Sequence, residues 1–298
     1  MQKDLTVDFV GVGFPRCGTT WLGRCLSEHP GICFSHPKEA HYFDLDYHYE
    51  KGTPFYSQHF SHKTEGQVVG EFTPEYIREP EKCAERIKND FPAAKLIVVM
   101  RDPVMRTFSH YGYRKYKSGT YKSFSEVIEN KETDPIVDES VYIKKLQPFL
   151  DRFEKENILF LIHEESESNP LQYVQRVYDF LGVDKNYVPE SLKTKINTTN
   201  NQGMRFPKIE RWVNNLRWKV RGNSLGRAIL KPLRLIGFTK LITYLRIKNQ
   251  VPIKKVEKIS KEDYDKLSDY FRTSNETLVS TTGVDVSKWK YNGKLNDN

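Results

Sequence analysis

The sequence predicts an α/β protein, a parallel sheet with helices on both faces, organised as a single domain over residues 1–298. Three observations carry this reading. Residues 6–12, rich in Val and Phe, run into a glycine-bounded turn and then into a helical pattern. Residues 95–100 (KLIVVM) form a near-continuous apolar run, as a strand buried on both faces requires, and break at Arg101-Asp102-Pro103 into a second helical pattern. Residues 158–162 (ILFLI) repeat the arrangement ahead of a helix over 171–181. Strand, turn and helix in alternation read as a parallel sheet.

In the first unit, Gly13 and Gly18 bound a short turn, and Trp21, Leu22, Cys25 and Leu26 recur at helical spacing until His29-Pro30. A strand, a glycine turn and a helix aim free N–H groups and the positive end of the helix dipole at one point, which suits a phosphate. Arg16 adds a fixed charge with a planar fork of donors, and Thr19 and Thr20 add hydroxyls. The turn is P-loop-like in spacing, but Thr19 stands where the Walker lysine belongs. An ordinary ATPase or GTPase needs that lysine at the β/γ-phosphates, so its absence argues against one.

Further along, Glu39, His41 and Asp44 gather among aromatics in the segment 35–44, and in extended chain 39 and 41 share a face. Residues 68–76 read as a strand running into a proline turn, and 79–90 as a helix with Cys83 and Ile87 inward. Asp102 is a natural N-cap and Pro103 a natural first helical residue, which places Arg101 at the same sheet edge as the first turn. Ser109 lies on the side of the following helix that also carries Arg106 and Tyr113. Helical patterns follow near 124–130 and 140–156, Gly182 ends the helix over 171–181, and Ser260 opens an amphipathic helix over 260–280.

Two of these motifs together resemble PAPS-dependent sulfotransferases, which take their sulfuryl group from 3′-phosphoadenosine-5′-phosphosulfate (PAPS). The stretch Arg16-Cys17-Gly18-Thr19-Thr20-Trp21 is similar to their 5′-phosphosulfate loop, with arginine where lysine is usual. The run Arg101-Asp102-Pro103 with Arg106, Ser109 and Tyr111 is similar to their 3′-phosphate motif. The resemblance implies that residues 16–21 hold the 5′ end of the donor, and that Arg101 and Ser109 hold its 3′-phosphate. Trp21 is left between stacking on adenine and a place in the core.

Lys38-Glu39-Ala40-His41-Tyr42-Phe43-Asp44 resembles the catalytic-base segment of the bacterial and heparan-sulfate-type, saccharide-modifying branch. Glu39 is then the general base, with His41 and Asp44 in support. Gly70 to Tyr76 is similar to the branch's G-E-x-[ST]-P-x-Y strand, with Phe72 where some heparan sulfate enzymes carry lysine. That departure argues against their particular substrate, and Glu71 is left between a site contact and a structural role. Gly203 and Arg205 are implied to close the nucleotide site. The reaction implied is sulfuryl transfer from PAPS to a hydroxyl or amine of a carbohydrate, on a polysaccharide or glycolipid, with no metal.

Charge is distributed unevenly. Residues 205–258 hold fifteen Lys/Arg against Glu210 and Glu257, a local +13 in a chain whose net charge is +8. A basic, mainly helical insertion over about 205–255 is expected. Three readings stay open for it: an amphipathic element on an anionic membrane, a groove for a polyanionic saccharide, or a helix pair packed on the domain. No nucleic-acid motif accompanies the charge. No run reaches the ~18 apolar residues of a membrane span, Asp4 and Asp8 interrupt any leader pattern, and Cys17, Cys25, Cys33 and Cys83 show no paired spacing. The expectation is a reduced, cytoplasmic protein, peripheral at the inner membrane face. A P-loop nucleotide kinase or NTPase and a non-catalytic, membrane-associated anion-binding protein are the competing function classes.

Overall fold

A computed structural model describes residues 6–118, 121, 123–193, 202–206, 248–252 and 257–289. Strands β1 (Phe9–Gly13), β2 (Ile32–Phe34), β3 (Val68–Phe72), β4 (Lys95–Met100) and β5 (Ile158–Ile162) form one sheet in the order β2-β3-β1-β4-β5. Each pairing is parallel. β1 is buried along its whole length, as the centre of such a sheet must be. Gly11 makes room for its neighbour: a Cβ there would stand 2.2 Å from the Phe72 ring.

Helix α1 (Thr19–Glu28) joins β1 to β2, and the short α2 (Asp46–Tyr49) and α3 (Thr53–Tyr56) precede β3. α4 (Pro80–Asp90) leads into β4. Between β4 and β5 run α5 (Pro103–Tyr113), α6 (Phe124–Glu129), α7 (Pro135–Asp138) and α8 (Tyr142–Leu150). α9 (His163–Ser168) and α10 (Pro170–Leu181) follow β5, and α11 (Lys261–Thr282) comes last among the described helices.

The connection from β1 to β2 crosses the sheet one way, and those from β3 to β4 and β4 to β5 cross it the other way. Right-handed crossovers therefore put α1 on one face and α4 and α8 on the other. Side-chain contacts agree. Tyr178 of α10 donates to the Cys25 carbonyl of α1 at 3.0 Å, while α4 packs on α8 and α8 on α11. The reversal of direction falls at β1, whose carboxyl end is where open α/β sheets collect ligands. A second apolar cluster, including Phe108, Val127, Ile136, Leu267 and Phe271, ties α5, α6, α7 and α11 together beside that end.

Several expected elements are shifted. The pattern over 140–156 stops as a helix at Leu150. Residues 163–168, between the expected strand and the expected helix over 171–181, form a further helix. At the two ends of the basic insertion, β6 (Gln202–Met204) and β7 (Gln250–Pro252) pair antiparallel, with β6 against the π-helical turn Arg114–Ser118. Backbone pairing between ends about 45 residues apart in sequence leaves no apolar periodicity to read. The expected helices within the insertion fall at 207–247 and 253–256, outside the described residues.

Candidate active site

The first turn is held from three directions. Phe14 N donates to Val99 O at 2.8 Å, which ties its start to β4. Arg106 of α5, with no exposed surface, donates through Nε to Pro15 O at 3.1 Å. At the far end Gly18 takes φ +81° with His163 beside it, and a Cβ would stand 2.6 Å from His163 Nδ1. Only glycine fits there. Arg16 also takes a left-handed φ, +75°. No side chain caps α1, and Trp21 N is taken by Gly18 O at 3.0 Å, so the N–H groups ahead of Trp21 are the ones such a terminus offers to a ligand. Thr20 is exposed and Thr19 nearly buried.

Two members of the loop face inward. Cys17 is buried, its thiol pushed up to about 12 chiefly by desolvation, so it stays neutral and offers the site its backbone. Trp21 packs beside Tyr173 and donates Nε1–H to Ser191 O at 3.1 Å. With 8% of its surface exposed, Trp21 belongs to the core; this favours the core reading over stacking on adenine.

The second motif meets the first at side-chain distance. Arg16 Nε donates to Ser109 Oγ at 3.2 Å, and the guanidinium lies 5.2 Å from the Tyr113 ring centroid. Burial lowers the Arg16 pKa, the Tyr113 oxygen opposes this, and Arg101 and Arg106 lower it further. Three guanidiniums thus share one small region. Arg101 is 9% exposed, and its Nε is buried with no hydrogen-bond partner among the described residues. His163, held down to about 3 by burial and by Arg101, is neutral and cannot compete for an anion's counter-charge.

Arg106 is a strut. It donates to Ile136 O at 2.9 Å and Ser140 Oγ at 3.0 Å, and pairs with Glu139 at 2.5 Å. Burial alone would raise the Glu139 pKa, but His110, Arg106 and Arg78 hold it well below the usual carboxylate range. Asp102 caps α5 by accepting from Met105 N at 2.9 Å, and receives a second hydrogen bond from Tyr264 of α11.

The Glu39 segment is laid along the end of β3. Glu71, fully buried, accepts from Tyr56 Oη at 2.9 Å, Thr73 Oγ1 at 2.5 Å and Ala40 N at 3.4 Å, and also from Tyr76 Oη. Four donors already fill its two oxygens with no surface exposed, which favours a structural role. Tyr42 N donates to Tyr76 Oη at 3.1 Å and His41 takes φ +50°. Glu39 is left half exposed at the rim, with Lys38 Nζ 2.9 Å from Oε1 and His41 Nε2 3.9 Å from Oε2. His41 Nδ1 lies 2.8 Å from Asp44 Oδ2. Burial lowers the His41 pKa, but the Asp44 hydrogen bond and charge, with Glu75 and Glu39, raise it above its ordinary value.

Glu75, on the turn Pro74–Arg78, is a residue that the spacing of motifs did not single out. Its carboxylate joins Glu39 and His41 with ligand atoms within 4.8 Å of one another, although no dedicated metal grouping was expected from sequence. The signal was weak because 36 positions separate Glu39 from Glu75 and only the end of β3 brings them together. Gly203 lies in β6, and Arg205 is exposed beside Phe206. No described contact joins Arg205 to Arg16, Ser109 or Glu39.

A P-loop-like turn joined to a second cationic motif at the ends of β1 and β4, with a carboxylate–imidazole pair at the end of β3, defines an α/β protein with an anion-binding sheet rim. The chain belongs to the sulfotransferase domain family, whose model matches residues 7–219. That family draws its sulfuryl groups from PAPS. The chain is 31% identical over 224 residues to heparan sulfate glucosamine 3-O-sulfotransferase 3A1 of Mus musculus, covering 73% of this chain and 54% of that protein. It is also 31% identical over 222 residues to heparan sulfate glucosamine 3-O-sulfotransferase 6 of Homo sapiens, covering 72% of this chain and 62% of that one. It therefore spans little more than half the length of the first of these relatives. A sulfotransferase structure from Alicyclobacillus acidocaldarius shares the fold, with TM-score 0.66, 22% identity, and coverage of 96% of this chain and 100% of that one. Among the described residues, no helix is long and apolar enough to cross a membrane.

Proposed function

We propose that this protein transfers a sulfuryl group from PAPS to a hydroxyl or amine of a saccharide, borne on a polysaccharide or glycolipid, with Glu39 as the general base. The observation that carries the reading is the 3.2 Å contact between Arg16 and Ser109, which joins two motifs 93 residues apart into one pocket. Two relatives named for glucosamine in heparan sulfate support a saccharide acceptor.

The donor supplies an activated sulfuryl group, and the rest is the work of this chain's residues. Open N–H groups at Gly18–Thr20 and the Arg16 guanidinium take the charge that builds on the departing 5′-phosphate, a stabilisation realised as the bond breaks. Arg101 and Ser109 orient the nucleotide from its 3′ side. Glu39 accepts the proton of the acceptor group, and His41, held by Asp44, keeps that carboxylate in place. A positioned base is worth ~10²–10⁴ in rate. The scheme needs no metal.

Incubation with labelled PAPS and a set of saccharide acceptors tests this directly. Transfer that needs Glu39 is expected, and PAPS binding without transfer to any saccharide would remove the reading. A peripheral position at a cytoplasmic membrane face belongs to the same proposal. The +13 charge of residues 205–258 supports it, and co-sedimentation with anionic vesicles tests it.

A further inference from the structure

The segment 35–44 is pinned at its start, where Ser35 N donates to Gly70 O at 3.0 Å and Ser35 Oγ to Lys38 O at 2.7 Å. From there the Lys38 stem crosses the second turn of α1 at Gly23. A Cβ on Gly23 would stand 2.9 Å from Lys38 Cε and 3.3 Å from Cδ. Glycine inside a helix is unfavourable next to alanine, and here its bare backbone is the floor on which the stem lies. Thr20, three residues earlier and exposed, is on the same side of α1, one turn nearer the helix N-terminus. Lys38 Nζ ends 2.9 Å from Glu39 Oε1, and the two side chains are 23% and 39% exposed. It lies 5.8 Å from the ring centroid of buried Phe72, which has no polar atom to hold it. Arg78 is turned to Glu139 at 3.0 Å, and His41 is held by Asp44 at 2.8 Å. Lys38 is thus the permanent cation in contact with Glu39 among the described residues.

We propose that Lys38 is a further catalytic residue, whose ammonium donates to the non-bridging oxygens of the sulfuryl group as it passes from PAPS to the acceptor. The proposal rests on the reading above, in which that group sits between the α1 terminus and Glu39. A base that takes the acceptor's proton lies within hydrogen-bond reach of the acceptor atom, about 2.6–3.2 Å, and that atom is the one that attacks sulfur. An ammonium already against Glu39 therefore stands beside the oxygens on sulfur. In the transfer, the acceptor oxygen or nitrogen bonds to sulfur while the bond from sulfur to the 5′-phosphate oxygen breaks. The departing oxygen keeps the bonding pair, and the acceptor's proton passes to Glu39. Lys38 keeps its own protons and supplies positive charge at the sulfuryl oxygens, as Arg16 does at the leaving phosphate.

The test compares binding of PAPS and of 3′-phosphoadenosine-5′-phosphate (PAP), which lacks the sulfuryl group, to the full chain by titration calorimetry. Lys38→Met keeps the stem and removes the charge. It is expected to weaken PAPS at least about ten-fold while PAP stays near wild type. On a saccharide that the wild type sulfates, its kcat is expected to fall ~10²–10³. Gly23→Ala approaches the same contact from the other side. Its methyl displaces the Lys38 stem while alanine favours the helix, so the same selective loss of PAPS affinity is expected in a chain no less stable to urea than wild type. A Lys38 that only holds Glu39 would leave the PAPS-to-PAP affinity ratio unchanged in Lys38→Met, and one that only packs on α1 would weaken both nucleotides alike. Either result overturns the assignment. A ratio that falls as expected, with no saccharide sulfated by the wild type, defeats the acceptor reading and leaves the Lys38 contact standing.

Discussion

At the scale of single residues, the two carboxylates Glu39 and Glu164 lead to different measurements. Glu39→Gln keeps the shape and removes the base, so kcat should fall by ~10²–10⁴ while PAP affinity stays near wild type; rapid-mixing kinetics with a PAP titration separates the two. Glu164 accepts from Asp102 N at 3.0 Å, but burial dominates and pushes its pKa up to about 7. The folded protein therefore binds this proton more tightly than the unfolded chain does. Its contribution is favourable at low pH and is lost as pH rises from the ordinary carboxylate range through about 7. Urea denaturation at pH 5 and 7.5 should show a loss that Glu164→Gln does not share, on the order of 1–3 kcal/mol. An identical pH slope in the variant would assign the loss to other groups.

Among elements, the loop before α1 and the start of α5 depend on one another. Gly18→Ala must find room for a Cβ at 2.6 Å from His163 Nδ1 and hold a left-handed φ, at a cost of roughly 1–2 kcal/mol for the backbone alone. PAP affinity is expected to drop at least about ten-fold, because the donors of the α1 terminus are re-aimed; isothermal titration reads this. Arg106→Met removes the buried partner of Glu139 Oε2 and leaves Arg78 and His110 beside that carboxylate, so the loss is expected to reach at most the ~3–5 kcal/mol of a fully broken buried pair. Chemical denaturation should show that loss, whereas an unchanged midpoint would mean that Arg106 is not the strut described here. These elements were legible from sequence in kind. Asp102-Pro103 announced the α5 start, and Gly13 with Gly18 announced the turn, because caps and positive-φ positions have local causes. The 163–168 helix was not, since its acidic, apolar-poor stretch carries no period.

For the whole molecule, the proposed placement of Arg16 at the 5′ end and of Arg101 and Ser109 at the 3′ end makes the rim a ruler for an adenosine bisphosphate. PAP at a hundred-fold excess over its Kd should stabilise the fold by about 2.7 kcal/mol, and ATP at the same concentration by clearly less, since it has no 3′-phosphate for Arg101 and Ser109. Equal shifts of the melting midpoint with both nucleotides would separate those residues from the 3′ end. The reversal of crossover direction at β1 sets this ruler, because it brings the ends of β1 and β4 side by side at a single rim.

The sequence by itself determined four of the five strands of the main sheet, the turn chemistry and the family, since apolar runs, caps and glycines act over a few residues and leave their mark in order. Which side chains meet was decided by the tertiary structure. Arg16 touches Ser109, Trp21 turns into the core, Glu71 is enclosed by tyrosines, and Glu75 comes to stand beside Glu39. Each of those contacts depends on parallel pairing between segments far apart along the chain, and no local pattern encodes the distance between two such segments.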